Sequence, residues 1–229
     1  MAYLIKNAQA VFSPTAADAT DIRIRDGKIT ELGRDLAPAA GETQIDARGC
    51  VAWPGLVNTH HHLAQSIMKG VPGGLNQNLN DWLGSVPYRY WPKVTPELMY
   101  HAARLGLYEL LRSGGTTCAD HHYLYHATTS PELEDAVWRA ADELGMRLVL
   151  CRGSATSVGS HHGMIEHGIA PETIDQIIER LDATRVRYHQ DGSDAMRKLV
   201  VAPTSLIHSS DPDGLREQAA YAREFKLGM

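Results

Sequence analysis

A chain of 229 residues with 43% hydrophobic composition can bury one large core or two modest ones. A net charge of −5 without a basic run argues against a nucleic-acid surface, and no apolar stretch approaches the roughly 20 residues that span a bilayer. The start, Met-Ala-Tyr-Leu-Ile-Lys, lacks the basic and apolar segments of a signal peptide, and three cysteines without metal-type spacing suit free thiols in a reducing cytoplasm.

The first fifty residues read as short strands. Tyr3 to Phe12 carries an apolar bias. The alternating runs Ile22-Arg23-Ile24-Arg25 and Lys28-Ile29-Thr30-Glu31-Leu32 flank Asp26-Gly27, a hairpin signal because the turn needs residues that tolerate positive φ. Thr43 to Ala52 supplies another strand, and Pro54-Gly55 marks a break. The expectation is a small β-sandwich segment over residues 1–53, followed by a second domain over 54–229.

After Pro54 short apolar runs alternate with amphipathic helices. The strands expected are Leu56 to His61, Thr116 to His122, Arg147 to Gly153 and Lys198 to Ser205. One helix begins at Thr95-Pro96-Glu97 with Met99, Ala103, Leu107, Leu110 and Leu111 on one face, and ends at Gly114-Gly115. A second begins at Ser130-Pro131-Glu132 and ends at Gly145. A third follows Pro171-Glu172, and a fourth starts near Asp211-Pro212-Asp213. Proline at the first helical position, acids in the first turn and glycine past the end are the start and stop chemistry of helices. Consecutive βα units imply a parallel sheet. It is either an open doubly wound sheet or the first four βα units of a partial (β/α)8 TIM barrel. No Gly-x-Gly-x-x-Gly follows the first strand, so a dinucleotide site has no support.

Pro54-Gly55-Leu56-Val57-Asn58-Thr59-His60-His61-His62-Leu63 is the most informative stretch. Side chains alternate along a strand, so His60 and His62 point one way and His61 the other. Two imidazoles at the C-terminal end of a barrel strand form half of a metal site, at the end where barrels carry their chemistry. Spacing alone is equally compatible with a hydrogen-bonded histidine cluster. The long segment from Ala64 to Val94 brings Trp82, Tyr88, Tyr90 and Trp91, flat rings able to stack on a heterocycle or to pack the segment down.

The block from Pro54 to Leu63 resembles the first-strand signature of the amidohydrolase superfamily. More narrowly, His60 to Ser66, Asn80-Asp81-Trp82-Leu83, Ala119 to Leu124, Arg152-Gly153-Ser154 and Ala202-Pro203-Thr204-Ser205 resemble its 8-oxoguanine and isoxanthopterin deaminase branch. Pro87-Tyr88-Arg89, Arg187-Tyr188-His189 and Ala195-Met196-Arg197 lean toward the isoxanthopterin side.

The resemblance implies a mononuclear zinc site, with iron as the alternative, in which His60 and His62 are two ligands. It implies a small heterocyclic substrate and hydrolytic deamination, with a carboxylate relaying the proton to departing ammonia. The other ligands and that carboxylate sit on later strands of the family, so the acid/base is expected beyond Met229 and the chain reads as an incomplete fragment. Gln65, Trp82 and Arg152 are expected at the substrate, Gln65 through its carboxamide; Arg152 equally fits a structural ion pair. His121 and His122 end a strand facing the site without being ligands of the family pattern. His101 is expected at the surface or in packing on its helix face, His161, His162 and His167 in a polar loop, and His208 at the pocket border. The complete protein is expected to be a homo-oligomer with neither nucleic-acid nor membrane partners. The alternatives are triazine chlorohydrolase or nucleoside deaminase chemistry on the same scaffold, and a non-catalytic half-barrel module whose open edges recruit other strands.

Overall fold

The computed structural model describes residues 1–157, 162–205 and 211–229, and the chain divides into two compact units, Met1–Gly55 and Leu56–Met229. The break falls two residues beyond the boundary expected from Pro54-Gly55.

The first unit holds β1 (Ala2–Lys6), β2 (Ala10–Val11), β3 (Asp21–Arg25), β4 (Lys28–Gly33), β5 (Thr43–Asp46) and β6 (Val51–Ala52). A four-stranded sheet runs in the order β4-β3-β1-β5, and β2 pairs in parallel with β6. The expected hairpin forms, with Asp26 and Gly27 at φ 49° and 77° and Arg25 opposite Lys28. The single strand expected from Tyr3 to Phe12 is split, because Asn7 adopts φ 64° and ends β1. Buried Asp21 secures that corner by accepting from Asn7 N and Leu36 N, both at 2.9 Å. Thr43 to Ala52 is likewise broken, at Gly49 with φ 78°. Ala8, Val11, Ala19, Ile22 and Ala47 fill the small core.

The second unit contains β7 (Leu56–His61), α1 (Leu79–Leu83), α2 (Pro96–Arg112), β8 (Gly115–His122), α3 (Glu132–Leu144), β9 (Arg147–Ser154), α4 (His162–Glu166), α5 (Ile174–Tyr188), β10 (Arg197–Pro203) and α6 (Pro212–Glu224). The sheet order is β10-β9-β8-β7 and all three pairings are parallel, so this is an α/β fold on a parallel sheet. After α6 the chain returns beside β10, where Val201 N donates to Gly228 O at 2.9 Å in a parallel bridge.

Helix boundaries follow local chemistry. Thr95 caps α2 by accepting from Leu98 N, and Asp211 caps α6 by accepting from Gly214 N. Gly145 ends α3 in the left-handed conformation. α5 starts later than the Pro171-Glu172 punctuation suggests, because Thr173 and Gln176 form a reciprocal capping box and Glu172 turns inward. Met99, Ala103 and Leu107 of α2, Val137 and Trp138 of α3, and Leu148, Leu150 and Leu199 of the sheet join one core. Gly106 lets α2 approach closely: a Cβ there would lie 2.5 Å from Ser66 Oγ and 3.2 Å from His61 Nε2. α2 therefore packs directly on the segment carrying the histidine triplet.

Candidate active site

The C-terminal ends of β7 to β10 open onto a cavity of about 540 Å³, lined among others by His60, His62, Gln65, Trp82, His121 and Tyr123. The alternation expected along β7 is present. His60 and His62 line the cavity with ring centroids 4.9 Å apart, whereas His61 points toward α2. Two further contacts organise the pair. His121 packs against His60, centroid to centroid 4.3 Å, and places its Nε2 3.2 Å from Thr59 O. The His62 Nδ1–H donates to the backbone carbonyl of His121 at 2.7 Å.

That last bond fixes the tautomer: a proton on Nδ1 leaves the Nε2 lone pair free, the arrangement a metal-ligating histidine needs. Burial lowers the His62 pKa and outweighs the carbonyl bond and Asp120, which raise it, so the neutral ring is favoured. The donors fit two positions of a zinc site. Among the described residues no group of three or more His, Cys, Asp or Glu side chains is placed to hold a metal. His60 and His62 would hold the ion, with the other protein ligands that zinc requires coming from elsewhere.

Asp120, absent from the sequence expectations, is fully buried and anchors the site from β8. Its Oδ1 accepts from Leu63 N at 2.8 Å, pinning the chain one residue past His62, and its Oδ2 lies 3.3 Å from His122 Nδ1. His122 is buried in this pair while bordering the cavity. Gly153 packs the floor: an added Cβ would sit 2.7 Å from His122 O and 2.8 Å from Tyr123 Cα.

Gln65 and Trp82 line the cavity. Gln65 Nε2 donates to the Tyr123 hydroxyl at 2.8 Å. Tyr123 sets its ring edge against His62 (5.0 Å, 87°) and against Trp91 (5.3 Å, 87°), and burial raises its pKa to about 12. Trp91 and Tyr88 border the cavity but are buried, so they also pack the long β7–α2 connection down. Burial pushes the Cys151 thiol, at the cavity wall, up to about 11, which disfavours the thiolate.

Arg152 corrects an expectation. Its side chain is 0% exposed and does not line the cavity. The guanidinium forms a bidentate pair with Glu172, at 2.9 and 2.7 Å, and lies 3.8 Å from the centre of the Tyr125 ring. Arg180 joins Glu172 at 2.8 Å, and Glu134 lies 4.0 Å from Arg152 Nε. Burial opposes the Arg152 charge, but the Glu172 hydrogen bonds outweigh it and the pKa is raised. The structural ion pair, left open by the sequence, is the arrangement found. His101 is exposed, the first of the two placements its helix face allowed, while His161, His208 and the side chain of His162 lie outside the described residues.

Residues 51–225 match the Amidohydrolase family. The chain belongs to that family. It is 40% identical to an isoxanthopterin deaminase of an unknown prokaryotic organism, over 99% of this chain and 48% of that protein. It is 38% identical to an 8-oxoguanine deaminase of Pseudomonas aeruginosa, over 95% of this chain and 48% of the relative. A crystal structure of atrazine chlorohydrolase TrzN from Arthrobacter aurescens complexed with zinc superimposes with a TM-score of 0.84 at 28% identity, covering 98% of this chain and 51% of that one. This amidohydrolase chain thus spans about half the length of the curated relatives it matches. Among its described residues no helix is long and apolar enough to cross a membrane.

Proposed function

We propose that this chain forms the first half of a metal-dependent deaminase of a purine- or pterin-like ring, of the isoxanthopterin or 8-oxoguanine type. The carrying observation is the His60–His62 pair, oriented by the His121 carbonyl, in a cavity that also holds Gln65 and Trp82. In this reading the four βα units are part of a (β/α)8 barrel, zinc or iron is the metal, and the proton-transferring carboxylate lies outside these 229 residues. Leu56 and Val57 of the edge strand β7 are 55% and 62% exposed, as suits a sheet that continues.

When bound, the metal would make water nucleophilic near neutral pH. The chain's own residues bind the metal and orient the ring. His60 and His62 offer nitrogen donors, Trp82 supplies a flat face for the ring, and Gln65 offers a carboxamide to a ring edge. Tyr88, Trp91 and Met164 give the cavity apolar wall surface that would exclude water around a bound ring. The similarity to triazine hydrolases supports a second reading in which the group displaced is not ammonia. The full product of the gene, supplied with zinc or iron, is expected to release ammonia from isoxanthopterin or 8-oxoguanine. Chloride release from a chlorotriazine with no ammonia from either ring would favour the second reading, and inactivity on all three would refute both.

A further inference from the structure

We propose that Arg180 of α5 is a positioning residue: anchored on Glu172, it clamps the β8–α3 loop, residues 123–131, from outside the cavity and so sets how firmly the cavity closes on a ligand. The effect on a ligand rests on the deaminase reading; the clamp itself does not.

Neither Arg180 nor Glu172 lines the cavity. Arg180 instead reaches three oxygens at once. Its Nη1 donates to Glu172 Oε1 at 2.8 Å and to His126 O at 3.1 Å, and its Nη2 donates to Ala127 O at 3.3 Å. The two carbonyls are consecutive, which suits the rigid fork of a guanidinium better than the point charge of a lysine. Glu172 is buried and held at both oxygens by Arg152, whose guanidinium lies 3.8 Å from the centre of the Tyr125 ring. One carboxylate thus directs two arginines at three successive loop residues, Tyr125, His126 and Ala127.

The loop's own bonds close a turn: His126 N donates to Thr129 Oγ1 at 2.8 Å, and Thr129 N returns to His126 O at 3.0 Å. Ala127 N attaches the turn to Ala170 O at 3.0 Å. Toward the cavity, the His126 ring lies 6.3 Å from Trp91, which sets its edge 5.3 Å from Tyr123, and both of those aromatics line the cavity. Bonds from a charged donor are about twice as strong as neutral ones, so losing two at adjacent carbonyls loosens the loop. The rest of the unit loses less, because Arg152 keeps Glu172 paired and the Arg180 side chain is 22% exposed. A wall that must be ordered on binding costs affinity, and with no reacting group displaced the cost falls on KM rather than kcat.

The test uses the full product of the gene. Arg180→Met removes the clamp, and Arg180→Lys keeps the charge beside Glu172 without the fork. Amide hydrogen exchange over residues 124–130 reads the clamp. The Kd for isoxanthopterin from pterin fluorescence, and KM and kcat from ammonia release, read its consequence. Arg180→Met is expected to speed loop exchange about tenfold, to raise Kd and KM about tenfold, and to leave kcat per bound metal within about twofold. Arg180→Lys is expected to fall between Arg180→Met and wild type, and it carries the test should Arg180→Met fail to fold. A residue serving stability alone would lower the amount of active enzyme, and with it the apparent kcat, while KM stayed in place. Loop exchange unchanged in both variants would overturn the clamp whatever the ligand does. Faster exchange with Kd and KM within about twofold of wild type would overturn the positioning role and leave deamination standing. Faster exchange with weaker binding, but no ammonia from the wild type, would sustain the positioning role and sink the deaminase. A wild type that binds neither isoxanthopterin nor 8-oxoguanine would sink the deaminase reading and the positioning role together, with exchange still deciding the clamp.

Discussion

Replacing Arg152 by Met separates a structural role from a substrate contact. The guanidinium is fully buried and meets Glu172 through two bonds, and the Glu172 side chain is itself 0% exposed. Removing one member of a buried pair leaves the other charge without its partner, which typically costs about 3–5 kcal/mol. Here Arg180 stays within 2.8 Å of the same carboxylate and is partly exposed, so the lower end, about 3 kcal/mol, is expected. At about 2–4 °C per kcal/mol for a unit of this size, the melting temperature should fall by about 6–12 °C. Thermal unfolding followed by circular dichroism measures it. Arg152→Met combined with Glu172→Leu should be less destabilised than the sum of the two single variants, because the orphaned carboxylate is then gone. An Arg152→Met protein that melts within about 2 °C of wild type while binding ligand more than tenfold more weakly would refute the argument and return Arg152 to the substrate.

Other outcomes follow from the same geometry. Gly153→Ala forces a Cβ against the backbone of His122 and Tyr123, atoms that cannot swing aside, so a loss of about 1–3 kcal/mol and weaker pterin binding are expected together; unchanged denaturant midpoint and affinity would contradict the close packing of the cavity floor. His62→Ala should lower zinc affinity of the full product by more than the ~10–100-fold typical of outer partners; retention of one zinc per chain at wild-type affinity, measured by competition with a chelator, would remove His62 from the ligand set. Burial and then the Arg180 charge lower the His126 pKa below 6.5, so the unfolded chain takes up this proton first as pH falls. Stability linked to His126 is therefore complete above pH 6.5 and declines below it, and His126→Gln should flatten the fall in melting temperature between pH 7.5 and 5.5, a fall to which His61 and His62 also contribute. An equal slope in variant and wild type would refute the assignment.

Most of the fold was legible because its signals are local. Asp26-Gly27 specifies its own turn, and Thr95-Pro96, Pro212 and Gly145 announce helix ends without help from distant residues. Where the structure departs from the local signals, a side chain is drawn into a distant contact or the backbone takes a left-handed step. Glu172 looked like a first-turn acid of α5 but belongs to Arg152, so the helix begins at Thr173's cap instead. Asn7 interrupts β1 because Asp21, fourteen residues away, accepts its amide hydrogen. Neither partner is visible from the residues flanking the break.

The site divides along the same line, with one instructive exception. His60 and His62 could be placed on one face from period-two alternation, but what orients His62 is a backbone carbonyl of β8, a group every residue carries and no composition reveals. Tyr123 and Asp120 become meaningful only once β8 lies beside β7. Arg152 is different, because the signal against it was already in the sequence. Leu148 and Leu150 are buried on the face of β9 that meets the helices, and alternation puts Arg152 and Ser154 on that face with them. Ser154 indeed donates to Gln218 of α6 at 2.6 Å, while the intervening Cys151 and Gly153 line the cavity. The same parity that puts His60 and His62 on one face of β7 puts Arg152 on the helix-facing side of β9 and the small residues on the cavity wall.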